Sequence, residues 1–67
     1  MERALHPFLA MTLDREQARI LREILEAALT ELRVESARAD SHAFRERLHH
    51  REHVVEQLLA EPELAAR

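Results

Sequence analysis

Residues 37–42, ARADSH, decide the fold. On their N-terminal side, Asp14 to Arg38 contains no Gly or Pro, and Leu21, Ile24, Leu25, Ala28 and Leu32 recur at the spacing of one helix face. On their C-terminal side, Phe44, Leu48, Val55 and Leu59 repeat in the same way. Within ARADSH the apolar repeat breaks, and Asp40 or Ser41 offers a side-chain oxygen to the unpaired amides that begin a new helix. A connection this short turns the second helix back along the first. The sequence therefore predicts an all-α protein built on an antiparallel two-helix hairpin.

Working outward, the hairpin occupies residues 14–60, with helices over 14–38 and 42–60 and a turn at 39–41. Asp14 caps the first helix with Gln17 as its reciprocal partner three residues on, and Thr12 is a competing cap. Pro62 disfavours helical geometry at Glu61 and so ends the second helix. The tail, 61–67, forms a further turn or frays. Residues 1–13 read as an arm in which FLAMTLD (8–14) alternates weakly, as a short strand or extended chain, and Met11 offers a second candidate start. A strand followed by two helices resembles a ribbon-helix-helix repressor, but this first helix is about twice as long as that fold uses, and no Gly-containing turn separates the helices.

Composition narrows the class. A chain of 67 residues makes at most one small domain, and a core below roughly 70–80 residues seldom supplies more than about 3–5 kcal/mol without a staple. There is no Cys, so disulfides and thiolate zinc sites are excluded, and self-association or unusually good helix packing must take their place. With no Gly, 34% charged residues and 46% hydrophobic ones, the mixture is that of a helical protein. All ten basic residues are Arg, yet the net charge is −3, so nucleic acid is not the expected partner. No apolar run approaches the roughly 18–20 residues of a membrane span. A signal peptide is not expected in MERALHPFLAM, and the cytoplasm is the default location.

Four of the five histidines fall between His42 and His53. Taking Leu48 as zero on a helical wheel, Phe44, Val55 and Leu59 lie within about 40° of it and Leu58 about 80° away, whereas His42, His49 and His53 lie about 100–140° round and Glu46 and His50 about 160–200°. The histidines therefore point to solvent. Glu46-x-x-His49 has the spacing of a di-iron carboxylate site, but such ligands project inward. His49 and His53, four residues apart, are weak candidates for gripping a metal from the surface, and a closed structural site needs four ligands. No cofactor is expected.

On the first helix, centred on Leu21, the apolar arc runs from Leu13 and Ile20 to Leu29, roughly 180°. One antiparallel helix cannot cover it. On the second helix Val54 sits about 120° from Leu48, beyond Leu58 on the same flank. Two hairpins packed together cover both flanks, which predicts a homodimeric four-helix bundle. Its core and interface residues are Leu21, Ile24, Leu25, Ala28, Leu32, Phe44, Leu48, Val54, Val55 and Leu58. An unknown protein partner would provide the same cover.

The turn near Asp40 sets a register in which Glu35 faces Arg45, Leu32 faces Leu48, Leu25 faces Val55 and Leu21 faces Leu59. Arg51 then lies opposite Ala28, where it either pairs with Glu31 or Glu35 or snorkels outward. The first turns of helix 1 extend past helix 2, with Phe8, Leu9, Leu13 and Leu64 as candidates to cover them.

Enzymatic chemistry is not expected. There is no Cys nucleophile, Gly-rich phosphate loop or Gly-x-Ser-x-Gly elbow, and two helices build no deep pocket. Arg15, Arg19 and Arg22 form a stripe read as the outer face of helix 1, which would suit RNA phosphates, but Glu23 and Glu26 stand four residues after Arg19 and Arg22 as ordinary surface pairs.

Leu13 to Leu59 resembles a group of short uncharacterised bacterial proteins, through Leu13-Asp14, Glu16, Leu21-Arg22, Leu25, Leu29, Leu32-Arg33 and Glu35, then Asp40, Phe44-Arg45, Leu48 and Arg51-Glu52. That resemblance implies a helical hairpin and no activity. The dimeric architecture is also similar to that of Rop, a plasmid-encoded hairpin that binds paired RNA loops. The leading functional expectation is a non-enzymatic interaction or oligomerisation module. The alternatives are Rop-like RNA binding through Arg15, Arg19 and Arg22, and surface metal binding through His49 and His53.

Overall fold

The structure is a computed structural model that describes residues 12–65. Three helices follow in order, α1 (Arg15–Arg38), α2 (His42–Leu59) and the single turn α3 (Pro62–Ala65), with no strand among the described residues. The expectations placed on residues 1–11, including cover from Phe8 and Leu9, lie outside the described residues. No helix among the described residues is long and apolar enough to cross a membrane.

Local chemistry starts each long helix. Asp14 accepts from the Gln17 amide at 2.7 Å, and the Asp14 amide donates to the Gln17 side chain at 3.1 Å, completing the reciprocal cap. Ser41, rather than Asp40, caps α2 by accepting from the Phe44 amide at 3.0 Å.

The end of α1 is handled in a way the sequence reading did not anticipate. Helices commonly stop at a Gly in the left-handed conformation, and this chain has no Gly. Ala39 leaves the helix in an extended conformation instead (φ −65°, ψ 131°). The Ser36 carbonyl still accepts from the Ala39 amide at 3.3 Å, and Arg45, from the first turn of α2, adds donors for the carbonyls at the helix end. Its Nη2 donates to the Ala39 carbonyl at 2.6 Å and its Nε to the Ser36 carbonyl at 3.4 Å. A guanidinium at a helix C-terminus also meets the negative end of the helix dipole. Arg45 thus clasps the turn shut, and Ala39 beneath it is buried.

The two long helices run antiparallel, because side chains near the end of α1 reach the start of α2 while earlier ones reach further along it. The expected register, with Glu35 facing Arg45, is displaced: Arg45 makes its shorter contact to the Ala39 carbonyl, four residues beyond Glu35, and a weaker one to the Ser36 carbonyl. Arg33 pairs with Glu56 at 2.9 Å, and the Ser36 hydroxyl donates to Glu52 at 2.8 Å. Because a serine side chain reaches little beyond its own level, these pairs place the facing residues of α2 about one turn further along than expected, and the rest of the offset is side-chain lean. Side chains lean toward the N-terminus of their own helix, so in an antiparallel pair long side chains lean toward one another.

The seam follows a three–four spacing. Ala18, Arg22, Leu25, Leu29, Leu32 and Ser36 of α1, and Arg45, Leu48, Glu52, Val55 and Leu59 of α2, are all buried or half-buried. The inward direction of α1 is therefore turned about 60° from Leu21 toward Leu29. Polar residues occupy part of this seam because each has found a partner: Ser36 on Glu52, Arg22 on the Leu64 carbonyl at 3.3 Å. Helix α3 folds back so that Leu64 is buried against the first half of α1, and Leu13 is half-buried nearby in sequence.

A candidate interaction surface

The rotation of α1 sorts the hairpin into two unlike faces. On one face stand five of the six large exposed apolar side chains among the described residues, Ile20, Ile24, Phe44, Val54 and Leu58, with Ile24 58% exposed; the sixth, Val34, lies at the outer margin of α1, about 160° from the seam. Between the helices on that face runs an open groove of about 600 Å³ whose walls are Ala27, Ala28, Leu32, Val54 and Val55. Glu31, Glu35 and Arg51 line the same groove. Leu48, by contrast, is only 4% exposed, and no side chain among the described residues is fully enclosed. A layer of two helices has covered one apolar seam and left a second, broader one open.

The opposite face is polar. It carries the Arg33–Glu56 bridge that ties α1 to α2 and, along α1, the Arg19–Glu23 pair at 3.2 Å. His42, His49 and His53 are exposed on the flank of α2 that the wheel places here, with His50 and Glu46 exposed further round. Among the described residues no three His, Asp or Glu side chains come together as a metal site, so His49 and His53 have no third ligand beside them.

The expected interface residues divide between the two seams. Leu25, Leu32, Leu48 and Val55 lie in the seam within the hairpin, where Leu29 and Ser36, absent from the expected set, are also buried. Leu21 is half-buried at its margin. Ile24, Ala28, Phe44, Val54 and Leu58 belong to the open face.

Two polar expectations need correcting. Arg22 is half-buried and donates to the Leu64 carbonyl, so Arg15, Arg19 and Arg22 do not make one outer stripe. The reason is geometric: Arg22 is seven residues before Leu29 and shares its inward position. The second is the pairing of Arg51 with Glu31 or Glu35. Arg51 is exposed and makes no ion pair among the described residues, although both carboxylate residues line its groove. Arg47 likewise makes none there, and its guanidinium lies 5.6 Å from the centre of the Phe44 ring.

No family model, curated protein or solved structure matches this chain, so the resemblance to short bacterial hairpin proteins rests on the residues that carry it.

Proposed function

We propose that the chain is a non-enzymatic self-association module, a hairpin that pairs through its apolar face into a four-helix bundle and turns its polar face outward. One observation carries this reading: five of the six large exposed apolar side chains among the described residues, Ile20, Ile24, Phe44, Val54 and Leu58, fall on the side of the hairpin that bears the groove, Val54 in its wall, while the Arg33–Glu56 pair bridges the other side. A contiguous apolar surface on so small a chain marks an interaction site. Burying it against a copy supplies the core that a hairpin without disulfide or zinc-thiolate staple lacks.

The test is the thermal midpoint of helix unfolding, followed by circular dichroism over a hundredfold range of protein concentration. Association of folded chains makes the midpoint fall on dilution. A midpoint that does not move with concentration would remove the self-association reading and direct the search to a different protein that covers the same face. RNA binding is the weaker reading, because Arg22 is engaged inside the fold and Arg19 is paired with Glu23. Binding of hairpin RNA at low salt, lost in Arg19→Glu, would restore it.

A further inference from the structure

The charges in the groove point to one arrangement of the two hairpins. Two dyad-related pairings can bring the apolar faces together. With the two-fold axis parallel to the helices, α1 of each copy lies over α2 of the other and both turns are at the same end. With the axis across the helices, α1 lies over α1, α2 over α2, and the turns are at opposite ends.

A rotation about an axis parallel to the helices leaves every residue at its own height. Arg51 would therefore meet, on the partner, the residues with which it shares the groove of its own chain, Glu31 and Glu35 among them. By the same rule Val54 would meet the small Ala27 and Ala28 that share its groove. With Glu31 beside Arg51 and Ala28 beside Val54 in the groove, Ile24 and Leu58 stand at about the same height and would cover each other. Along the groove apolar residues meet apolar ones and carboxylates meet a guanidinium, while Phe44, nearer the turn, would meet Glu35, Arg38 and Ala39.

The crosswise arrangement reverses heights along α1. With the copies centred near the middle of the helix, Glu31 and Glu35 would be set against Ile24 and Ile20 of the partner, and Arg51 against apolar residues of α2. Buried charges opposite apolar side chains are strongly disfavoured. Arg51 is left without a carboxylate partner within its own hairpin, and the parallel axis gives it one.

We propose that the hairpins pair with their turns at the same end, α1 over the partner's α2, with Arg51 bound to Glu31 or Glu35 of the second copy. This rests on the self-association proposed above and adds its topology. Such pairs would fix register and arrangement more than they would strengthen the complex.

The chain has no Cys, so Asp40→Cys places a single spin label on the exposed turn of the otherwise native protein. The solution mass is measured on the same sample, followed by the dipolar distance between labels. The expected result is a dimer with labels within about 25 Å, given helices packed 8–10 Å apart. A dimer with labels beyond about 35 Å, the length of a 24-residue helix, would overturn the topology and leave the self-association standing. A monomeric mass would overturn both. A charge exchange gives an independent readout: Arg51→Glu should lower the dimer fraction at least tenfold, and Glu31→Arg with Glu35→Arg in the same chain should restore it. Failure of the exchange to restore a folded, Arg51→Glu-weakened chain would refute the ion pair.

Discussion

Substituting Ile24 by Ala separates a lone hairpin from a covered one by magnitude. Burying a whole Ile side chain is worth about 1.5–3 kcal/mol. In the single chain Ile24 is 58% exposed, so less than half of that is available to lose, and water fills the space left behind. Ala also has the better helix propensity, which returns a few tenths of a kcal/mol. A lone hairpin should therefore lose at most about 0.5–1 kcal/mol. Under a second copy, Ile24 becomes a core residue, and truncation of a core Ile costs about 2–5 kcal/mol per chain because a cavity remains. Both copies carry the change, so the dimer loses about 4 kcal/mol or more, a weakening of roughly a thousandfold. Urea unfolding at two protein concentrations reads this directly. A loss below about 1 kcal/mol that is equal at both concentrations would refute the claim that this face is covered.

Replacing Arg45 by Met should cost about 1.5–2 kcal/mol in urea unfolding, since it removes a charge-assisted hydrogen bond to the Ala39 carbonyl and keeps the aliphatic packing; an unchanged midpoint would show that water caps the helix equally well. Asp14→Ala should cost about 1 kcal/mol by the same assay, through loss of the cap at the start of α1. Arg33→Gln should change stability by less than about 1 kcal/mol, because the Arg33–Glu56 bridge is about half exposed on each side, and a larger loss would mean that the polar face is covered too.

Much of the fold was legible because its signals are local. The Asp14–Gln17 cap and the break at ARADSH each depend on residues a few positions apart, and the structure forms both within that distance. The wide apolar arc of α1 was also legible, and it correctly indicated more apolar surface than one partner helix covers. The rotation of α1 was not. Apolar periodicity centres the arc on Leu21, but the hairpin packs along a line containing Arg22 and Ser36, whose polar groups are satisfied by Leu64 and Glu52, distant in sequence. A polar residue reads as solvent-facing until its partner is known, and no single-sequence pattern names that partner. One clue was present: Arg22, Leu29 and Ser36 repeat every seven residues, the period of a packed seam. The turn clasp was legible in principle as well, since a helix that ends without Gly needs another donor for its carbonyls, and Arg45 is the first cation of the next helix.

Cover of the apolar face by a second copy of the chain doubles the mass of the particle in solution. The measurement that meets it most directly is solution mass by light scattering coupled to size exclusion, taken over a wide dilution range. The expected mass is twice the 7.8 kDa of one chain, falling toward a single chain only at high dilution. A mass of one chain at every concentration, with the helices intact by circular dichroism, would contradict it.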